Sequence, residues 1–150
     1  MRRHVIAGGV LLALCGMSAA ACDEKLSDLT GPTPNLQPTL SSIQREIFNT
    51  TDSSGRQACT NCHTSVGRNP SGLMDLREGA SYATLVGVTS PAKPGAIRVV
   101  PGDPENSYII HKLEGRAGIV GTPMPRGNTL LTAGQILVIK RWIELGARND

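Results

Sequence analysis

Five consecutive residues in the middle of the chain, Cys59, Thr60, Asn61, Cys62 and His63, limit what it can fold into. They follow the pattern C-x-x-C-H, in which two thiols lie three positions apart and an imidazole follows directly. On a helical turn, each thiol can bond to one of the two vinyl groups of a haem, and the next residue then lies under the iron. The imidazole of His63 would be the proximal iron ligand. We therefore predict covalent attachment of one c-type haem through Cys59 and Cys62.

Cysteine pairs at this spacing also occur in disulfides, in redox-active dithiols and in zinc sites. A structural zinc ion requires four ligands. Outside the motif and the first 21 residues, the chain offers only Cys22 and His111, and both are distant in sequence. A thioredoxin-like motif is expected beside a βαβ pattern, and the sequence shows none. The haem interpretation is therefore favoured over all three.

The composition indicates one domain with few aromatic residues in its core. The 150 residues include one Trp, two Tyr and one Phe, whereas large aromatic side chains usually dominate core burial. A buried haem would supply the missing apolar mass. Glycine and proline number 17 and 10, which predicts a large share of loop.

The first 21 residues have the order of an export signal. Arg2 and Arg3 precede an apolar run over 5–14, and small residues at 18–21 form a cleavage region. The apolar run is too short to span a bilayer as a helix. Removal of Arg2 and Arg3 from the 15 basic residues leaves 13, against 12 acidic ones. A balance this close to neutral gives no indication of a nucleic-acid partner.

Cleavage before Cys22 would resemble the processing of a bacterial lipoprotein, in which the new N-terminal cysteine receives lipid. Ala19 stands where that signal prefers leucine, and Cys15 follows Leu14 where a small residue is wanted. Cys22 is therefore the better lipidation site, and we expect a membrane-anchored protein in the bacterial periplasm or at the cell surface. Membrane contact would be through the lipid anchor only. Ordinary secretion, with Cys22 as a spare thiol, is the alternative.

The predicted domain organisation has three parts. Residues 1–21 form a lipoprotein-type signal peptide, residues 22–39 a flexible tether, and residues 40–150 a haem domain. The tether is predicted because residues 23–39 are polar and include three prolines, a composition typical of linkers.

Helical spacing begins at Leu40, because Ile43, Ile47 and Phe48 recur on one face. A loop over 50–55 separates this helix from the haem motif. A short helix is predicted over 81–86, and a short extended piece over 97–100.

Two further helices carry clear start and stop signals. The first begins at Asp103 and Pro104, an N-cap residue followed by proline at the first helical position, and stops at Gly115. The second spans 133–145, because Thr132 and Gln135 form a capping box before its apolar face. Gly146 marks its C-terminal end.

A six-coordinate iron needs a second axial ligand, and the candidates are Met74, His111 and Met124. Met124 lies between two prolines in a loop, where it has no packing role, and a thioether opposite imidazole is an accepted haem ligand. Met74 is expected to fill a gap in the core, and His111, in a helix beside a lysine, is typical of a surface residue. We predict Met124 as the distal ligand, with His111 as the main alternative.

Residues 40–147 resemble the class I cytochrome c fold, in particular the small mono-haem domains of bacterial exported proteins and lipoproteins. The resemblance implies a mostly α, cytochrome c-like helical domain wrapped around one covalent haem, with Met124 at the position of the family's distal ligand. The segments that carry it are SIQ at 42–44 with IF at 47–48, the haem motif, VPGDP at 100–104 with SY at 107–108, HKLEG at 111–115, MP at 124–125 with Gly127, and IKRWIELGA at 139–147.

The chain departs from the family at two places. Gly134 stands where the family usually has an acidic residue, and the loop over 50–58 is longer than expected.

The family also indicates a hydrogen bond that would orient the proximal imidazole. In class I cytochromes the proximal imidazole donates a hydrogen bond to a proline carbonyl downstream, and Pro70 is the matching position here. Such a bond fixes the ring and its tautomer. A plain turn proline is the alternative role for Pro70.

Together these features predict a carrier of single electrons in the bacterial cell envelope, not an enzyme. Its iron would change oxidation state with both axial ligands bound, and its partners would be redox proteins of the envelope. The alternatives are a haem enzyme or a haem-based sensor with an open distal position, or a structural haem lipoprotein. Ready binding of carbon monoxide to the reduced protein would favour the enzyme or the sensor.

Overall fold

The computed structural model of the protein describes residues 31–127 and 129–150. Helical segments cover about a third of them, and the remainder is irregular loop. This part of the chain has no β-strand, only isolated bridges between extended residues. The helical segments are α1 Leu40–Ile43 with its continuation as a π-helix Gln44–Phe48, the 3-10 turns Cys59–Asn61 and Ser71–Leu73, and the helices α2 Ser81–Leu85, α3 Tyr108–Glu114 and α4 Ala133–Glu144.

Helix α1 begins at Leu40, as predicted. The hydroxyl of Thr39 accepts a hydrogen bond of 3.2 Å from the backbone N–H of Ser42 and so caps the helix. The apolar face identified from the spacing, Ile43 with Ile47 and Phe48, is buried.

A single hydrophobic cluster forms the core. Its largest side chain is Trp142 of α4, which is 1% exposed and donates a hydrogen bond of 2.8 Å from Nε1 to the carbonyl of Arg148. The indole is therefore buried without leaving its polar atom unpaired. All four helices contribute fully buried members to the cluster, namely Ile43, Leu85, Ile110, Ile139, Trp142 and Ile143.

The domain begins earlier than the predicted boundary at residue 40. Thr33 and Leu36 are buried, at 3% and 5% exposure, and the side chain of Gln135 in α4 donates a hydrogen bond of 3.1 Å to the hydroxyl of Thr33. The described end of the predicted tether is therefore packed against the last helix. Its proline content indicated a linker, but prolines also suit a fixed extended segment whose few apolar residues reach the core.

Helix α3 is shorter than predicted, because its expected cap residue closes a separate turn. The Asp103 carboxylate accepts the backbone N–H of Asn106 at 3.1 Å, and the hydroxyl of Ser107 donates to the carbonyl of Asp103 at 2.8 Å. These bonds hold residues 103–107 as a turn, so the helix starts at Tyr108. It ends at Gly115, which has a left-handed φ of 65°, as its sequence signal indicated.

The predictions for α4 and α2 are confirmed to within one residue. Both bonds of the Thr132–Gln135 capping box are present, and α4 ends at Glu144 with Gly146 at a φ of 98° just beyond it. Helix α2 covers 81–85. The extended piece over 97–100 is present as isolated bridges to neighbouring residues.

Three predictions concern residues outside the described part of the chain: the signal peptide over 1–21, the lipidated Cys22, and the first part of the tether. Among residues 31–127 and 129–150, no helix combines the length and the apolar character needed to cross a membrane.

Candidate functional site

The C-x-x-C-H motif winds into one tight helical turn. The backbone N–H of Cys62 donates to the carbonyl of Cys59 at 3.2 Å, and that of His63 donates to the same carbonyl at 3.0 Å. On a 3-10 turn, side chains at positions i and i+3 lie one above the other. The spacing of the two cysteines on this turn therefore favours thiols on one side, and the next segment starts at His63.

Two residues of the motif attach this turn to the end of the first helix. The Cys59 thiol lies 3.6 Å from the carbonyl of Ile47, and the hydroxyl of Thr60 donates to the carbonyl of Phe48 at 3.2 Å. The last carbonyls of a helix lack partners within it. Contacts from the motif satisfy two of them, which fixes where the turn lies.

The long loop before the motif is held by a buried arginine, Arg56. The residue is 1% exposed, and its Nε donates to the Asp52 carboxylate at 2.9 Å. The two terminal nitrogens donate to four backbone carbonyls, those of Glu46, Thr50, Gln57 and Ile47. Because an arginine has five N–H donors, this guanidinium is fully satisfied. It joins the loop to the helix end directly ahead of Cys59.

Both motif thiols are free. Burial raises the pKa of the Cys59 thiol to about 11, although the nearby Arg56 cation opposes this, and Cys62 is exposed. A redox-active dithiol needs a cysteine whose pKa is lowered. The burial of Cys59 therefore disfavours a role for this thiol as the reactive thiolate.

The imidazole of His63 makes one defining hydrogen bond. Its Nδ1 lies 2.8 Å from the carbonyl oxygen of Ser71. A carbonyl only accepts, so Nδ1 carries the proton in this bond, and the lone pair of the neutral ring is on Nε2. Burial lowers the pKa of His63, against opposing effects from the carbonyls of Ser71 and Met74. Burial therefore favours the neutral ring, with its proton on Nδ1.

The acceptor is one residue later than predicted. Pro70 was expected to supply the carbonyl, but its oxygen accepts the backbone N–H of Leu73 at 2.9 Å and closes the 3-10 turn. The next carbonyl, that of Ser71, is left to face His63. Pro70 instead precedes the turn with a φ of −64°, the value to which its ring holds it.

The turn Ser71–Leu73 has an unusual backbone. Gly72 and Leu73 both have left-handed φ values, 63° and 52°. Glycine adopts this region freely, whereas for leucine it costs about 1 kcal/mol or more and persists only where the surroundings impose it. The side chain of Leu73 is also 64% exposed.

Hydrogen bonds close the segment from His63 to Leu76 on itself. The N–H of Leu76 donates to the carbonyl of His63 at 2.9 Å. Within the segment the Asp75 carboxylate accepts the hydroxyl of Ser65 at 2.6 Å and the guanidinium of Arg77 at 2.7 Å. Arg77 and Ser65 hold the pKa of Asp75 well below its usual range. The loop that carries Ser71 is therefore a defined structure.

Met124 is half-buried, in a loop fastened to the end of α3. Its backbone N–H donates to the carbonyl of Lys112 at 2.8 Å. The ammonium of Lys112 donates in turn to the carbonyls of Val120, at 2.9 Å, and Thr122. Pro123 lies so close to Gly115 that a Cβ on the glycine would be 3.2 Å from its Cγ. The loop that presents Met124 is thus held at several points.

The other two distal candidates have roles of their own. The Nε2 of His111 lies 2.6 Å from the carbonyl of Glu105, and its ring meets Tyr108 edge-on with centroids 6.1 Å apart. Met74 packs against the hydrophobic core, as its sequence context indicated. These contacts occupy the ring of His111 and the side chain of Met74, whereas the contact identified for Met124 is that of its backbone N–H.

The residues present fit a covalently attached haem. They offer two free thiols on one turn, an imidazole held through Nδ1 by the Ser71 carbonyl, and a thioether on a fastened loop. No group of three or more His, Cys, Asp or Glu side chains able to hold a metal ion occurs in residues 31–127 and 129–150. Two surface cavities, of about 470 and 400 Å³, lie around Ser41, Arg45 and Asp150, and neither is lined by the motif.

Sequence reasoning missed three cations that shape the site: Arg56, Arg98 and Lys112. Each acts mainly on backbone carbonyls, and carbonyls carry no residue-specific pattern in a sequence. The longer loop over 50–58 was a partial signal for Arg56, since a long loop requires something to hold it.

The chain matches no protein-family model, no curated protein and no solved structure.

Proposed function

We propose that this protein is a single-electron carrier that binds one haem covalently through Cys59 and Cys62, with His63 and Met124 as axial ligands. One observation carries the proposal. The motif forms a turn with two free thiols three positions apart, and the Ser71 carbonyl sets the tautomer of the adjacent imidazole so that the lone pair is on Nε2. This combination suits haem better than zinc or disulfide chemistry.

The haem would supply the one-electron change at iron. The chain's own residues would hold the geometry constant between the two oxidation states. Ser71 keeps the ring of His63 in one tautomer and orientation, which also raises its basicity as a ligand. Lys112 keeps the loop of Met124 in place. Because both ligands are held by the fold, little would move on electron transfer.

The alternative function is a haem enzyme or sensor with an open distal position. The fastened loop around Met124 supports the carrier, since an open site would not need a thioether presented from a loop held at several points. We further propose that export and lipidation of Cys22 place the domain at a bacterial membrane surface, where its partners are redox proteins of the cell envelope.

Attachment of the haem is the test. The full chain is produced in a bacterium that exports and matures c-type cytochromes, then denatured and extracted with acidic acetone. A c-type haem stays with the protein, because thioether bonds survive this treatment. Cys59→Ser and Cys62→Ser should each lower the yield of haem protein strongly.

Cys22→Ala provides the matched control, because it removes a thiol from outside the motif. It should leave the haem attached. Haem that leaves with the solvent, or a wild-type chain with no haem, would refute the proposal.

A further inference from the structure

Arg98 is a buried cation behind the turn that carries the His63 acceptor. The residue is 6% exposed. Its backbone is fixed on both sides, because its N–H donates to the carbonyl of Val88 at 2.8 Å and its own carbonyl accepts from Ile109 at 3.0 Å. The side chain therefore starts from a well-defined point in the fold.

The guanidinium of Arg98 joins helix α2 to the left-handed turn. One terminal nitrogen donates to the carbonyl of Thr84 in α2. The other donates to the carbonyls of Gly72, at 2.6 Å, and Leu73, at 3.2 Å. Both acceptors belong to the residues with positive φ. Arg98 therefore binds the carbonyls of both residues of the left-handed turn.

The charge of Arg98 has no acidic partner in the part of the chain that the structure describes. Carboxylates pair with Arg56, Arg77, Arg116 and other cations there, but none pairs with Arg98. Buried charges are usually paired. The two carbonyls that bind the cation, those of Gly72 and Leu73, directly follow Ser71, whose own carbonyl lies on the His63 ring.

We propose that Arg98 is a positioning residue for the proximal ligand. It holds the left-handed turn of Gly72 and Leu73 so that the preceding carbonyl, that of Ser71, stays hydrogen-bonded to the Nδ1 of His63. Its unpaired positive charge also raises the reduction potential of the iron. This inference rests on the proposed function, because it assigns a role around a haem ligated by His63.

The two effects act on the reduction potential in opposite directions. A hydrogen bond from Nδ1 to a carbonyl makes the imidazole a stronger donor, which favours ferric iron, so a weakened bond raises the potential. A positive charge near the iron favours the ferrous state, which carries less positive charge. Its removal therefore lowers the potential.

Two variants of the haem-loaded protein separate these effects. Arg98→Lys keeps the charge but loses the planar fork that spans three carbonyls. Its potential should rise, and the proximal imidazole signals in the NMR spectrum should shift or broaden. Arg98→Gln also removes the charge, so its potential should lie below that of Arg98→Lys. Arg141→Gln, the same charge loss at an exposed site paired with Glu144, is the control and should shift the potential least.

A further variant tests whether Arg98 acts through the turn. Leu73→Asn introduces a residue that tolerates left-handed φ better than leucine. Added to Arg98→Lys, it should restore part of the wild-type imidazole signature. An Arg98→Lys protein with unchanged potential and unchanged imidazole signals would refute the inference.

The wild-type protein offers a test that needs no variant. The guanidinium N–H groups of Arg98 should exchange slowly with solvent, because three carbonyls bind them, and fast exchange would refute the inference. A wild-type chain without covalent haem would refute the proposed function, whereas a haem-bearing wild type with an unaltered Arg98→Lys variant would refute this inference alone.

Discussion

The backbone N–H of Met124 donates a hydrogen bond of 2.8 Å to the carbonyl oxygen of Lys112, the residue after His111. Helix α3 thus carries the predicted distal ligand and its main alternative, because His111 lies within the helix and Met124 is hydrogen-bonded to its last turn. The Nε2 of His111 is hydrogen-bonded to Glu105. Met124 is instead fastened through its backbone, by a hydrogen bond that does not involve the sulfur.

Replacement of Met124 by Ala should abolish the long-wavelength sulfur-to-iron band of the oxidised protein. It should also lower the potential, because Met/His ligation favours ferrous iron, and open the iron to carbon monoxide. His111→Ala is the matched control and should leave all three properties unchanged. If Met124→Ala left these three properties unchanged and His111→Ala altered them, the iron would be ligated by two histidines. If neither change altered the spectrum, the enzyme or sensor function would be favoured.

Replacement of Lys112 by Met should weaken the hold on the Met124 loop while keeping the length of the side chain. The two exposed carbonyls that lose their charged donor can bind water instead, so the loop should lose about 0.5–1.5 kcal/mol of stability. The sulfur-to-iron band should therefore disappear at a lower temperature than in the wild type. Lys112→Arg, which keeps a cation there, should be milder. Equal melting of the band in Lys112→Met and the wild type would contradict this role.

Replacement of Arg56 by Met should be among the most destabilising single changes. It leaves Asp52 as a buried, unpaired carboxylate, 4% exposed at the side chain, and strips four carbonyls of their donor. Removal of one partner from a buried pair costs about 3–5 kcal/mol. The change in the free energy of unfolding is measured by denaturant titration. Arg45→Met, at an exposed pair with Glu46, is the control and should change stability by about 0.5 kcal/mol or less.

The Asp75 carboxylate should contribute to stability in a pH-dependent way. Its pKa is lowered in the fold, first by the hydrogen bonds from Arg77 and then by that from Ser65. Its contribution is therefore complete above the unfolded value of about 3.9 and is lost as the pH falls towards the lower folded value. Asp75→Asn should be less stable than the wild type at pH 7, and the gap should narrow below pH ~4. A gap that stays constant in thermal melts from pH 7 to 2 would contradict this.

Replacement of Cys22 by Ala should release the protein from membranes into the soluble envelope fraction, because the lipidated residue would be lost. Cell fractionation and the mass of the mature N-terminus measure the effect. Cys15→Ala, at the weaker candidate within the signal, should remain in the membrane fraction. A wild-type N-terminus that maps elsewhere and carries no lipid would contradict the prediction.

The local pattern of the sequence was enough to predict several elements of the fold. The Thr132–Gln135 capping box, the stop of α3 at Gly115 and the buried face of α1 are set by residues within a few positions of one another. Propensity and capping act over that range. The C-x-x-C-H motif is local for the same reason, so its turn could be anticipated without a fold.

The tertiary structure decided what holds that motif in place. The acceptor of His63 is Ser71 rather than Pro70, because the proline carbonyl closes a turn. The Gln135–Thr33 bond draws a linker-like segment into the domain. Arg56 and Arg98 support the site through carbonyls that any residue type could supply. Backbone acceptors look alike at every position, so which cation reaches which carbonyl depends on the path of the chain in space and not on a pattern of residue types.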